Sequence, residues 1–98
     1  MTRPLRFDPA AQRELNEAAA FYDAEDPGLG GAFLGAAERA FEQIQVFPES
    51  SPVSLDPVRT KVLSAFPFSV IYWVTDEVII DLAVAHHRRR PEYWRGRE

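Results

Sequence analysis

The stretch from Phe66 to Ala85, FPFSVIYWVTDEVIIDLAVA, is apolar apart from Ser69, Asp81 and a central Thr75-Asp76-Glu77. Asp76 and Glu77 are turn residues, so the stretch reads as a β-hairpin. Strands this apolar must be covered by another layer, because an uncovered face would leave a large apolar surface in water. The second strand then runs directly into HHRRRPEYW, residues 86–94. A hairpin ending in three arginines and two aromatic rings directs positive charge and flat rings to one edge of a sheet.

Two helices supply the covering layer. Leu5 and Phe7 alternate with Arg6 in a short strand, and Asp8-Pro9 then gives an N-cap with proline at the first helical position. Ala11, Leu15, Ala18 and Tyr22 recur at helical spacing, which makes one side of that helix small and apolar. Asp26-Pro27 reads as a second start, followed by a stripe of Leu29, Phe33, Ala36, Ala40, Ile44 and Phe47, widened by Ala37 and Phe41 and stopped by Pro48. At ~1.5 Å per residue that rod is roughly 30 Å long, and the short turn before it predicts an antiparallel helical hairpin. Gly28, Gly30, Gly31 and Gly35 fit neither a P-loop nor a dinucleotide fingerprint, since no strand precedes them and no Lys-Ser/Thr follows. They read as a loose helix start with close helix contacts.

Prolines 48, 52 and 57, with serines between them, mark a connection of about ten residues. Val58, Thr60 and Val62 then alternate with Arg59 and Lys61 in a further strand. The predicted architecture is α+β, in the order β-α-α-β-β-β: an antiparallel sheet with a helical hairpin packed on one face. A chain of 98 residues buries somewhat over ~60% of its unfolded surface and supports one two-layer core, so residues 1–98 are expected to form a single domain.

The absence of cysteine excludes a disulfide framework, a thiolate nucleophile and a cysteine-based zinc site. MTRPLRFDP lacks the apolar core of a signal peptide, and no run approaches the roughly 18 apolar residues of a membrane span. A cytoplasmic protein without membrane contact is expected. The net charge of -4 conceals a split: residues 1–56 carry four basic and ten acidic side chains, residues 57–98 seven and five. An acidic helical side and a basic sheet edge suit an anionic partner at one end.

Period-two geometry assigns faces. With Val58, Thr60 and Val62 turned to the helices, Arg59 and Lys61 point to the other face, as do Asp81 and His87 if Val78 to Val84 pack inward. That face would gather Arg59, Lys61, Asp81 and His87 beside Arg88, Arg89 and Arg90. The competing reading is an ordinary solvated sheet face, to which Asp81 belongs. His86 and His87 are adjacent in a strand and project to opposite faces, so no shared metal site is expected, and nothing in the sequence calls for a cofactor. His87 has the chemistry of a proton acceptor or donor, although no carboxylate or second histidine completes a constellation. Tyr93 and Trp94 are large rings that a small core needs for burial. Helix surface near Phe21, Tyr22, Phe33 and Phe41 is a candidate seat for a partner helix.

The order of elements, the Phe66-Pro67-Phe68-Ser69-Val70-Ile71-Tyr72 start of the middle strand, and Ala85-His86-His87-Arg88-Arg89-Arg90-Pro91-Glu92-Tyr93-Trp94 together resemble the RelE/ParE superfamily of bacterial toxins, often called plasmid stabilization proteins. The resemblance implies a toxin neutralised by a cognate antitoxin. RelE-like members cleave messenger RNA on the ribosome; ParE-like members poison DNA gyrase.

Position by position, the RelE-like pattern implies Arg59 and Lys61 as basic residues on the strand after the helices and Arg88 as the last-strand arginine. The middle-strand arginine of that pattern falls on Ser69, and its tyrosine on Trp94, with Tyr93 one residue away. A RelE-like enzyme would use Arg88, Tyr93 and His87 in catalysis. The Phe-Pro-Phe start and the Tyr93-Trp94 ending look more like the ParE branch. That likeness implies gyrase inhibition without chemistry, through a target-binding set of Arg59, Lys61, Arg88, Arg89, Arg90 and Trp94. A non-toxic antitoxin-binding module is the remaining alternative.

Overall fold

The computed structural model describes residues 2–98. Strand β1 (Leu5–Phe7) leads into helix α1 (Pro9–Glu25), then α2 (Leu29–Val46), followed by β2 (Val53–Leu55), β3 (Val58–Val62), β4 (Phe68–Val74) and β5 (Ile79–His86). The sheet order is β1-β5-β4-β3-β2. The expected strand, helix pair and three long strands are present, with two additions. The short edge strand β2 forms within the proline-rich connection, and β1 joins β5 in parallel, with Leu5 opposite Ile79, while all other pairings are antiparallel.

Asp8 caps α1 as its sequence demands, Oδ1 accepting the Ala10 N–H at 2.8 Å. The second helix starts differently from expectation. Asp26 closes α1, its N–H donating to the Tyr22 carbonyl, and α2 begins after Gly28, whose φ of 94° requires a residue without Cβ. The cap comes from across the turn: Asp23 Oδ1 accepts the N–H groups of Gly28 at 2.9 Å and Gly30 at 3.2 Å. Gly30 is also where the helices meet, since a methyl there would run into the Ala19 carbonyl and the Asp23 side chain.

The main core lies between helices and sheet. Leu15, Ala18, Phe33, Ala36, Ala37, Ala40, Phe41 and Ile44 pack on Leu63, Phe68, Val70, Tyr72, Ile79 and Val84. The other side of the sheet carries a second apolar cluster of Val58, Ile71, Leu82, Ala83 and Ala85, closed by Trp94. The chain therefore buries both faces of its central strands, the second by folding its own C-terminal segment back over them.

Two expected face assignments are reversed. Residues opposite one another in an antiparallel pair share a face; Arg59 lies opposite Tyr72 and Lys61 opposite Val70, both in the helix-side core. Arg59 and Lys61 thus face the helices, while Val58 faces away. Asp81 also lies opposite Tyr72, on the helix side, because the register shifts between Ile71 and Tyr72 and leaves Leu82 as an extra residue on β5. The bulge breaks the alternation that assigned Asp81 to a solvated face. Asp81 is fully buried.

Candidate functional site

Beyond β5 the chain makes a turn through His87 to Arg89 and a run of turns to Gly96. Glu92 (φ 59°) and Gly96 (φ 97°) adopt left-handed conformations that reverse the backbone. The first turn is tied at its base by the His87 N–H donating to the Pro67 carbonyl at 2.9 Å and the Arg89 N–H to the His86 carbonyl at 3.0 Å. Further on, Trp94 is 3% exposed in the second apolar cluster.

The segment is anchored chiefly by one carboxylate, Glu14 on α1. Its Oε1 accepts Arg97 Nη1 at 3.0 Å and the Val84 N–H at 3.1 Å; its Oε2 accepts the Tyr93 hydroxyl at 2.7 Å and Arg97 Nη2 at 3.3 Å. Arg97 also donates to the Leu82 carbonyl at 2.9 Å. Arg89 approaches Glu14 more loosely, at 3.8 Å, and lies 4.1 Å from the Tyr93 ring centroid. Burial, then the hydrogen bond to Glu14, raise the Tyr93 phenol above its ordinary pKa. Close by, burial holds the Asp81 carboxyl well above its ordinary value; the Ala83 N–H opposes this and the Glu14 charge adds to it.

The expected site residues are therefore divided. Arg88 and Arg90 are exposed on the held turn, with no side-chain hydrogen bond or ion pair among the described residues. Arg89 is half committed to Glu14 and Tyr93. His87 shares a 3.0 Å hydrogen bond between Nε2 and Ser69 Oγ. His86 accepts the Arg88 N–H at Nδ1. Trp94 does not belong to an exposed surface, because its indole is the lid of the second cluster. Tyr93 points its hydroxyl at Glu14, not at solvent. Arg59 and Lys61 do not join the arginine turn: Arg59 Nη1 donates to the carbonyls of Glu49 at 3.0 Å and Ser51 at 2.7 Å, holding the α2–β2 connection, and Lys61 lines a groove with Arg39 and Gln43 of α2. Of the four aromatics suggested as a partner seat, only Phe21 is exposed, at 61%; Phe33 and Phe41 are buried, and Tyr22 packs edge-on to Phe66.

Glu14 and Arg97 were not singled out in the sequence. The signal for Glu14 was present, because it stands three residues after Ala11 and four before Ala18, inside the apolar stripe of α1. A carboxylate there must find buried donors.

A helical hairpin packed on a five-stranded mixed sheet defines a compact α+β class. Residues 5–91 match the family described as ParE toxin of type II toxin-antitoxin system, parDE, and the chain belongs to that family. Among solved structures, a chain of the chromosomal ParDE TA system from P. aeruginosa is similar at 21% identity with a TM-score of 0.65, over 87% of this chain and 96% of that one. No curated protein matches. Among the described residues, no helix is long and apolar enough to cross a membrane.

Proposed function

We propose that this chain is the toxin of a type II pair, that it arrests growth by inhibiting DNA gyrase in the cytoplasm, and that a cognate antitoxin neutralises it. The observation that carries this reading is the pair of uncommitted guanidinium groups, Arg88 and Arg90, on a backbone fixed by Pro67 on one side and by Trp94 and Glu14 on the other. The ordered backbone has little further freedom to lose on binding, so the cost falls on the side chains alone, and their guanidinium groups offer planar donors to an acidic surface. Family membership supports the toxin role.

Messenger-RNA cleavage is the weaker reading. Its phenol would be Tyr93, which is already bonded to Glu14 and resists ionisation, and its basic pair, Arg59 and Lys61, lies on the helix side of the sheet. The antitoxin's apolar contacts include Phe21, the exposed aromatic of α1.

The test is expression of the chain alone, with plasmid supercoiling and messenger-RNA integrity compared in arrested cells, alongside supercoiling by purified gyrase. The expected result is loss of supercoiling with intact transcripts, relieved in the Arg88→Ala/Arg90→Ala double variant. Cut transcripts with normal supercoiling would move the assignment to the ribonuclease, and harmless expression would move it to an antitoxin-binding module.

A further inference from the structure

A pocket of about 220 Å³ lies between the C-terminal turn and the sheet, on the side away from the helices, with Thr60, Ser69, Ile71, His87, Arg90 and Trp94 in its wall. Ser69 is an anomaly in its strand. It is 6% exposed among Phe68, Val70, Ile71 and Tyr72, and its side-chain hydrogen bond is the one shared with His87.

The charge balance of the pocket is unequal. Glu92 pairs with Arg95 at 3.2 Å, and Arg89 lies over the Tyr93 ring, 4.1 Å from its centroid. His86, at the rim, spends Nδ1 on the Arg88 N–H. Arg90 is left as a positive charge without a carboxylate, on a protein of net charge -4. Two hydroxyls, an imidazole and a free guanidinium line the same pocket as the apolar side chains of Ile71, Ala85 and Trp94. Apolar walls exclude water and strengthen charge-assisted hydrogen bonds to an anion.

We propose that this pocket binds a terminal phosphate group, with the Ser69 and Thr60 hydroxyls as hydrogen-bond donors, His87 Nε2–H holding the Ser69 oxygen so that its hydroxyl hydrogen is free for the anion, and Arg90 as the counter-charge. A terminal phosphate monoester presents three strong acceptor oxygens and a charge of about -1.5 to -2 at neutral pH. A phosphodiester inside a strand carries a single charge and is flanked on both sides, which suits a pocket with a buried hydroxyl poorly. Free phosphate and the 5′ end of a nucleic-acid strand present the same group, and the chemistry recognised is the same.

The experiment titrates the unmodified protein with inorganic phosphate, with a short 5′-phosphorylated oligonucleotide and with the same oligonucleotide bearing a 5′-hydroxyl, following the backbone amide resonances of positions 69 and 87 by NMR, a readout that survives in the variants. Inorganic phosphate and the phosphorylated strand are expected to shift these amides, and the hydroxyl strand is not. A tighter affinity for the phosphorylated strand would identify nucleic acid as the source; equal affinity would identify free phosphate. Ser69→Ala, His87→Gln and Arg90→Gln should each weaken binding about tenfold, the worth of one charge-assisted hydrogen bond. Lys61→Gln, on the other side of the sheet, should leave it unchanged. The proposal is overturned if no phosphate species moves either amide, if the hydroxyl strand binds as well as the phosphorylated one, or if Arg90→Gln and His87→Gln, both at exposed positions, bind like the parent.

Discussion

Replacing Glu14 by alanine should release the C-terminal segment, and the size of the effect follows from its contacts. The carboxylate is 16% exposed and receives two bonds from Arg97, one from Tyr93 and one from the Val84 N–H. Arg89, at 3.8 Å with a side chain 54% exposed, adds essentially nothing. Truncating one partner of a fully buried ion pair costs about 3–5 kcal/mol, and partial exposure brings the Arg97 share to about 2 kcal/mol. The stranded Tyr93 hydroxyl and Val84 N–H add about 1 kcal/mol together once non-additivity is allowed for. Alanine's better helix propensity returns a few tenths of a kcal/mol. A net loss of about 3 kcal/mol lowers Tm by roughly 12–20 °C in a domain of this size. Glu14→Gln, which still accepts hydrogen bonds, should lose about half as much. Urea unfolding gives the magnitude, and a red-shifted emission before the main transition, measured with Trp73 replaced by phenylalanine so that Trp94 alone emits, gives the location, since that indole is buried by the docking of its own segment. If Glu14→Ala stays within about 0.5 kcal/mol of the parent, as an ordinary surface substitution would, the anchoring role is wrong.

Arg59→Ala should cost about 1–2 kcal/mol by freeing the carbonyls of Glu49 and Ser51, yet leave the proposed gyrase inhibition per folded molecule intact; a selective loss of inhibition would return Arg59 to the target surface. Ala65 has φ 69° in the β3–β4 connection, so Ala65→Gly should raise stability by about 1 kcal/mol, and an unchanged urea midpoint would count against that conformation. Burial raises the Asp81 carboxyl well above its ordinary value, so the folded state binds more protons than the unfolded state above the ordinary aspartate pKa of ~3.9, and this group makes stability fall as pH rises from there toward its raised folded value. Asp81→Asn should flatten that decline in urea midpoints measured across the range, and an identical slope in the variant would refute it.

Much of the fold can be read in the sequence because its helices and long strands state their periods plainly. Asp8-Pro9 starts α1, and the alanine stripes lie where they must for two helices to approach closely. The faces of the strands were harder. In Val58-Arg59-Thr60-Lys61-Val62, either phase gives a reasonable strand, and the choice rests on which side of the sheet is apolar. Here both are, because Trp94 covers the second. Tyr72, whose hydroxyl reaches the Pro48 carbonyl at 2.7 Å, brings Arg59 to the same side. No local sequence signal marks the bulge at Leu82, so Asp81 passed for a solvated residue although a lone carboxylate in an apolar strand is itself unusual. Strand β2 is exposed at all three positions and shows no alternation to read. Of the candidate site, the arginine turn was legible. The division of labour within it was not, because it depends on Glu14, some seventy residues away in sequence.

The parallel pairing of β1 with β5 sets Leu5 against Ile79. One edge of the sheet therefore cannot be laid down until β5 has been made, since β1 must wait for a partner far along the chain. Contacts of such long span are slow to form and close a large loop. A nascent chain of this protein lacks both that edge and the arginine turn that follows β5 until β5 itself has been made.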